Sequence, residues 1–86
     1  MYQAEFDEKW PEYFKRLDNK LKERTAKKIG KILAHPQKRH FMKADFFVSE
    51  MGQRRIVYRV FEADSRVRFY FVGTHKEYEE WYSQLF

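Results

Sequence analysis

The residues of this sequence best suited to chemistry are cations placed where an anion could bind. His75 and Lys76 follow Thr74, and Thr74 with Glu77 three residues later forms a capping-box pattern, which predicts a helix opening at Thr74. The two cations would lie in the first turn of that helix, where the dipole disfavours positive charge and free backbone N–H groups favour anions. An imidazole with an ordinary pKa of about 6.5 is also suited to proton transfer. The pattern indicates an anion site; the alternative is that His75 only closes the helix start by hydrogen bonding.

A second group of cations lies on a predicted β-hairpin. Residues 54–61 and 67–72 are rich in β-branched and aromatic residues, and residues 62–65 between them have the composition of a turn. Pairing the strands back from that loop predicts the pairs on the core face: Val60 with Val67, Tyr58 with Phe69, and Ile56 with Phe71. The opposite face then carries the remaining pairs: Arg59 with Arg68, Val57 with Tyr70, and Arg55 with Val72. Because adjacent like charges cost stability, Arg59 beside Arg68 requires an anion between them.

Positive charge is concentrated in the middle of the chain. The net charge is +5, yet residues 15–43 alone hold eleven Lys or Arg and two Asp or Glu. Such a block is typical of a phosphate-binding surface, of a surface for an acidic protein, or of a solvated helix face.

Length and composition predict one cytoplasmic domain over residues 1–86. The chain is too short for a second core, and its 20% aromatic content allows a small core without disulfides. The absence of cysteine excludes thiolate metal sites and cysteine nucleophiles, and the spacing of His35 and His40 is poor for a metal, so we expect none. No stretch approaches the roughly 18 apolar residues of a membrane span, and the N-terminus lacks a signal-peptide pattern.

An α+β framework must position these cations. Apolar residues recur at helical spacing from Phe6 to Leu17, which predicts a short first helix with Asp7 as its cap, and a second apolar series predicts a helix over residues 18–35. The second helix ends before Pro36, and residues 46–48 form a short strand.

Two motifs carry a resemblance to a known family. The first is Gly-x-Arg-Arg-Ile-Val-Tyr-Arg-Val at residues 52–60, and the second is the strand-to-helix junction Phe-Val-Gly-x-His-Lys-x-Tyr at residues 71–78. With the two helices, nearly the whole chain resembles the RelE/ParE superfamily of toxins from type II toxin–antitoxin systems, of the RelE-like, plasmid stabilisation type. The resemblance implies two N-terminal helices packed on a three- to four-stranded antiparallel sheet, with a short C-terminal helix beside the opposite face. RelE-like members cleave mRNA on the ribosome through the 2′-hydroxyl without metal or cofactor, whereas ParE-like members act on DNA gyrase.

The resemblance also implies roles for individual residues. Arg55 matches the strand arginine that contacts the scissile phosphate in RelE-like toxins; the alternative is a structural salt bridge with Glu77. His75 is the candidate acid or base. Either Trp81 or Tyr82 falls where family members carry an aromatic that stacks on a base or shares in proton transfer; the two are adjacent and cannot both face inward, and Tyr82 is favoured for the site. The predicted catalytic residues are Arg55, His75 and Tyr82. The predicted RNA-binding residues are Lys43, Arg59, Arg68, Tyr70, Lys76 and Trp81. For Arg59 and Arg68 the alternative is contact with the antitoxin, because both kinds of surface favour arginine.

The sequence departs from the family in the strand before Gly52. The best-studied RelE toxins have lysines there, whereas this chain has Phe46-Phe47-Val48-Ser49-Glu50, which leaves the proton acceptor unassigned. The leading prediction is a metal-independent, cofactor-independent mRNA endoribonuclease toxin whose partners are the ribosome, mRNA and a cognate antitoxin. The alternatives are a gyrase-directed toxin, a catalytically inactive antitoxin-binding relative, and a general RNA-binding module.

Overall fold

The computed structural model describes residues 1–36 and 46–85, which form four strands and three α-helices. Their bounds are β1 Gln3–Phe6, α1 Trp10–Phe14, α2 Asn19–Ala34, β2 Phe47–Met51, β3 Arg54–Phe61, β4 Arg66–Thr74 and α3 His75–Leu85. The strands form one sheet in the order β1-β4-β3-β2, with β1 parallel to β4 and the other neighbours antiparallel. The predicted α+β arrangement is confirmed, and one parallel pair is added at the sheet edge.

The first predicted helix is wrong at its start. Phe6 belongs to β1, and α1 comprises only the five residues Trp10–Phe14. Asp7 lies in the turn between them, where its carboxylate accepts a hydrogen bond from the backbone N–H of Lys9 at 3.2 Å. Phe6 and Trp10 do contact each other, with ring centroids 5.4 Å apart, but they do so across this strand-to-helix turn and not along one helix.

The second helix is confirmed with its predicted ends. The Asp18 carboxylate accepts a hydrogen bond from the backbone N–H of Leu21 at 2.8 Å, which caps α2, and His35 closes the other end. Thr25 is fully buried; its hydroxyl donates to the Leu21 carbonyl at 2.7 Å and lies 3.7 Å from the Met51 sulfur. This contact holds α2 against β2.

Each face of the sheet packs an apolar cluster. On one face α1 and α2 cover the larger cluster: Trp10, Leu17, Ile32, Phe47, Met51, Ile56, Tyr58, Val67, Phe69 and Val72. On the other face α3 covers a smaller one: Phe46, Val57, Phe71 and Tyr78. The predicted placement of the last helix on the opposite face is therefore confirmed, and that face is partly a core.

The β3–β4 hairpin contains a bulge that the sequence analysis did not predict. The pairing is as predicted from Phe61 to Tyr58, but Val57 then lies opposite Phe71, so that Tyr70 is an extra residue in β4. The predicted pair of Ile56 with Phe71 is therefore wrong.

The bulge also shifts every later pair by one residue. Ile56 lies opposite Val72, and Arg55 lies opposite Gly73 instead of Val72. Phe71 turns to the α3 face and Val72 to the face of α1 and α2, where both are buried.

Candidate functional site

A cleft of about 570 Å³ opens where the turn between β2 and β3 meets the first turn of α3. We call it the α3 cleft; its lining residues are Glu50, Gly52, Gln53, Arg54, Arg55, Thr74, His75 and Lys76. Two guanidinium groups, one ammonium group, one imidazole and one carboxylate thus face a single space. Arg54, the residue before Arg55 in β3, lines the cleft as well. The combination can bind a phosphate and transfer protons.

Arg55 lies at the centre of this arrangement. It is flanked in the sheet by Glu50 on β2 and Gly73 on β4. Its guanidinium carbon lies 4.9 Å from the centroid of the Tyr78 ring, so the two groups stack. Burial raises the pKa of Tyr78, and the positive charge of Arg55 only partly opposes this, so the phenol stays neutral. The ring therefore supports Arg55 without neutralising its charge.

The predicted alternative, an ion pair of Arg55 with Glu77, is not formed. Glu77 instead pairs with Arg16 of the segment after α1, at 3.7 Å. Among the described residues Arg55 has no carboxylate partner within ion-pair distance, so its charge can act on a ligand.

His75 and Lys76 lie where the capping box was predicted to put them. The Thr74 backbone N–H donates to Glu77 Oε1 at 2.9 Å, and the Glu77 N–H donates to the Thr74 hydroxyl at 3.2 Å. Because this reciprocal pair closes the helix start, that role does not fall to His75. The imidazole of His75 is exposed, and its Nε2 atom lies 2.9 Å from Oε1 of Glu79, one turn further along α3. Lys76 is exposed beside it.

A glycine brings the start of α3 close to the sheet. A Cβ atom on buried Gly73 would lie 2.7 Å from Cζ of Phe71 and 2.9 Å from Oε1 of Glu77. No side chain fits there, so Gly73 allows β4 to pass directly beneath the capping carboxylate. With this close approach, His75 and Arg55 line one cleft.

The two C-terminal aromatic residues have different environments. Trp81 packs on Phe71 with ring centroids 5.7 Å apart and edge-on against Phe46 at 5.5 Å. Tyr82 stacks on Tyr78 at 6.2 Å, on the ring that supports Arg55. Trp81 is thus the packed member of the pair, and neither ring lines the α3 cleft. Their predicted roles toward RNA stay predictions.

Arg59, Arg68 and Tyr70 lie on the α3 face but away from the α3 cleft. Arg59 lies opposite Arg68, as predicted, with its guanidinium carbon 5.2 Å from the centroid of the Phe46 ring. Tyr70 meets the same ring edge-on at 5.0 Å. These residues form a separate cationic and aromatic surface, whose contact with RNA stays a prediction.

Carboxylates of the chain itself compensate the charge of Arg68. Its guanidinium donates to Glu5 of β1 and, at 3.2 Å, to Asp7, and Arg66 donates to the same Glu5. The hydrogen bond from Arg68 contributes most to holding the pKa of Glu5 below its usual range, and Arg66 acts in the same direction. The anion that the sequence required beside Arg68 is therefore an internal one.

The basic block forms a second groove beside the α3 cleft. This basic groove has a volume of about 330 Å³ and is lined by Arg24, Lys27, Lys28, Lys31, Glu50, Met51 and Gly52. It shares Glu50 and Gly52 with the α3 cleft, so the cations of the two surfaces lie on either side of these residues. Lys43, a predicted RNA contact, lies outside the described residues, as does His40.

The sequence analysis missed Glu50 as a site residue. Residues 52 and 53 connect β2 directly to β3, with Gly52 at a φ of 61° that favours glycine. This connection pairs Glu50 with Arg55. Recognising a two-residue turn at Gly52 would have placed the carboxylate at the site.

The described ranges contain no group of three or more His, Asp or Glu side chains arranged to hold a metal ion. In the same ranges, the helices are too short or too polar to cross a membrane.

Fold and cleft together define a class of protein: a small α+β domain with a basic cleft at a strand-to-helix junction. Comparison with solved structures identifies this fold as that of RelE toxins. A chain of the intact E. coli RelBE toxin–antitoxin complex matches with a TM-score of 0.77 and 23% identity, covering 86% of this chain and 96% of that chain.

Two further structures agree. The isolated E. coli RelE toxin matches with a TM-score of 0.76 and 21% identity, covering 100% of both chains. A chain of a RelBE toxin–antitoxin complex from Mycobacterium tuberculosis matches with a TM-score of 0.77 and 15% identity, covering 86% of this chain and 98% of that chain. No protein-family model and no curated protein sequence matches. The chain therefore has the RelE fold.

Proposed function

We propose that this protein is the toxin of a type II toxin–antitoxin system and cleaves mRNA on the ribosome through the 2′-hydroxyl of the RNA. The observation that carries the proposal is the meeting of Arg55, His75 and Lys76 in the α3 cleft. The shared fold with RelE, including RelE in complex with the antitoxin RelB, supports it.

Cleavage through the 2′-hydroxyl makes definite demands on a site. A group must accept the hydroxyl proton, cations must stabilise the charge that develops on the phosphate, and an acid must protonate the leaving 5′-oxygen. Oxygen 2′ bonds to phosphorus as the bond from phosphorus to oxygen 5′ breaks, which yields a 2′,3′-cyclic phosphate and a 5′-hydroxyl. The chemistry requires no oxidant, reductant or cofactor.

The residues of the α3 cleft can meet these demands. The planar guanidinium of Arg55 can donate two parallel hydrogen bonds to a phosphate. Lys76 adds a second cation, and His75 supplies an imidazole, the side chain that most often serves as a general acid or base. The Tyr78 ring holds Arg55 in place, and Tyr82 extends that aromatic stack.

The proposed partners are the ribosome, mRNA and a cognate antitoxin, in the cytoplasm. The basic groove adjoins the α3 cleft and suits the phosphate backbone of RNA, whose binding depends on neutralising cations. An antitoxin that covered the α3 cleft would keep the toxin inactive.

The experiment is a short pulse of expression followed by primer extension on cellular mRNA, with Arg55→Ala beside the wild type. Lys20→Ala is the matched control, because it removes an exposed cation of α2 that does not line the α3 cleft. We expect growth arrest and cuts within translated codons for the wild type and for Lys20→Ala, and neither for Arg55→Ala. Growth arrest with intact mRNA would contradict the proposal and point to a target such as gyrase.

A further inference from the structure

We propose that Glu50 is the proton acceptor for the 2′-hydroxyl, which leaves His75 as the acid for the leaving 5′-oxygen. This inference rests on the proposed function and names the group that the sequence analysis left unassigned. It is carried by the position of Glu50 relative to Arg55 and by the partners of the other nearby carboxylates.

Strand pairing places Glu50 beside the phosphate-binding group. Glu50 lies directly opposite Arg55 in the antiparallel β2–β3 pair. Directly opposed residues share one face of a sheet, with Cβ atoms about 4.5–5.5 Å apart. The next residue, Met51, turns to the other face and is buried near Thr25, which fixes the register of β2. Glu50 is therefore held on the face of the α3 cleft.

The sheet order places the acceptor and the acid on opposite sides of Arg55. Glu50 lies on β2, Arg55 on the central strand β3, and His75 follows directly after β4. In-line displacement at phosphorus requires the attacking and leaving oxygens on opposite sides of the phosphate. A phosphate held by Arg55 would thus have a carboxylate on one side and an imidazole on the other.

Glu50 is also free to accept a proton, unlike its neighbours. Within residues 1–36 and 46–85 Glu50 makes no hydrogen bond or ion pair, and it is the sole carboxylate lining the α3 cleft. Glu77 accepts the Thr74 N–H and pairs with Arg16, and Glu79 contacts His75. An ionised carboxylate can only accept hydrogen bonds, which suits it to receive the hydroxyl proton.

The proposed step is balanced without a further reagent. The 2′-hydroxyl proton passes to a Glu50 oxygen as oxygen 2′ bonds to phosphorus. The bond from phosphorus to oxygen 5′ breaks with its electron pair, and the His75 imidazolium donates a proton to that oxygen.

The test separates the two proton transfers by changing the leaving group. Single-turnover cleavage of ribosome-bound mRNA is measured with an ordinary scissile linkage and with a bridging 5′-sulfur, because a thiolate leaves without being protonated. The variants are Glu50→Gln and His75→Ala. The control, Glu8→Gln, removes an exposed carboxylate outside the α3 cleft.

We expect Glu50→Gln to slow cleavage of both substrates by at least about 100-fold, the usual contribution of a general base. His75→Ala should be slowed to a similar extent on the ordinary substrate and should recover toward the wild-type rate on the sulfur substrate. Glu8→Gln should match the wild type. The affinity of Glu50→Gln for mRNA-programmed ribosomes should stay unchanged or rise, because the substitution removes a negative charge from a positively charged cleft. If the affinity instead falls by the same factor as the cleavage rate, the loss of rate is a loss of binding and the role of Glu50 in proton transfer is overturned.

Two outcomes separate this inference from the proposed function. If the wild type cleaves and Glu50→Gln cleaves equally fast, or is rescued by the sulfur leaving group, Glu50 is not the acceptor and the proposed function stands. If the wild type cleaves neither substrate, the proposed function fails and the inference with it.

Discussion

Replacing Gly73 by alanine tests whether this glycine is what brings α3 close to the sheet. The new Cβ atom would lie 2.7 Å from Cζ of Phe71, a ring that is 1% exposed, and 2.9 Å from the Glu77 oxygen that caps α3. Neither group can move away without a loss of stability. Phe71 is enclosed by the apolar cluster beneath α3, and Glu77 would have to break its hydrogen bond with the Thr74 N–H. We therefore expect a loss of stability and not a tolerated change.

The magnitude follows from two costs and one gain. Adding an atom to a packed interior costs about 1–3 kcal/mol, and losing a helix cap costs about 1 kcal/mol. Alanine restricts the unfolded chain more than glycine does, which raises the free energy of unfolding by about 0.4–1 kcal/mol. The free energy of unfolding should fall by about 2–3 kcal/mol, equivalent to roughly 10–20 °C in Tm for a domain of this size.

Urea denaturation at neutral pH measures this difference, with Gly30→Ala as the matched control. A Cβ atom at Gly30 in α2 would meet nothing within 4 Å, so alanine there should stabilise the protein by about 0.5–1 kcal/mol. The same substitution thus has opposite signs at the two sites. A Gly73→Ala variant within about 0.5 kcal/mol of the wild type would refute the close approach described above.

Three further predictions concern the framework. The arginine pair holds the pKa of Glu5 below its usual value of 4.5, so ionised Glu5 stabilises the fold at neutral pH, and this contribution is lost as the pH falls from 4.5 through the lower folded value. In urea titrations at successively lower pH, the wild type should therefore lose stability more steeply than Glu5→Gln; parallel curves would refute the pairing. Asp18→Ala removes the cap of α2 and should lower the free energy of unfolding by about 1 kcal/mol, and a neutral result would exclude that cap. Trp81→Ala removes a half-buried ring from Phe46 and Phe71 and should cost about 2 kcal/mol, below the figure for a fully buried ring; retention of stability would show that Trp81 is not packed on the sheet.

Local signals explain the elements that the sequence predicted correctly. The α2 helix has a capping aspartate, a long apolar stripe and a proline just beyond its end. The α3 helix has the Thr74–Glu77 box, which forms as expected. Each signal acts within a few residues, so no knowledge of the tertiary structure was needed.

The two errors in the fold have a different origin. All four positions of Phe69-Tyr70-Phe71-Val72 are apolar or aromatic, so the pattern does not indicate which of them face α3, and the bulge at Tyr70 could not be found from alternation. Strand β1 pairs with β4 at positions more than 60 residues away, such as Gln3 with Arg66. A four-residue strand held by such distant contacts leaves almost no local signal.

The candidate site was predictable only in part. The motifs identified Arg55, His75 and Lys76, which the fold brings into one cleft. The placement of Glu50 beside Arg55 depended on the β2–β3 register. The internal partners of Arg68 depended on β1, the element that the sequence did not reveal.

The most direct test of the central claim is the chemistry of the RNA ends produced by the purified protein. Programmed ribosomes carrying a defined mRNA are treated with the wild type, and the fragments are analysed at both new termini. Cleavage through the 2′-hydroxyl predicts a 2′,3′-cyclic phosphate and a 5′-hydroxyl, with no product from an mRNA that carries a single 2′-deoxy nucleotide at the scissile position. A 5′-phosphate product, cleavage of the 2′-deoxy mRNA, or fully intact mRNA would contradict the account.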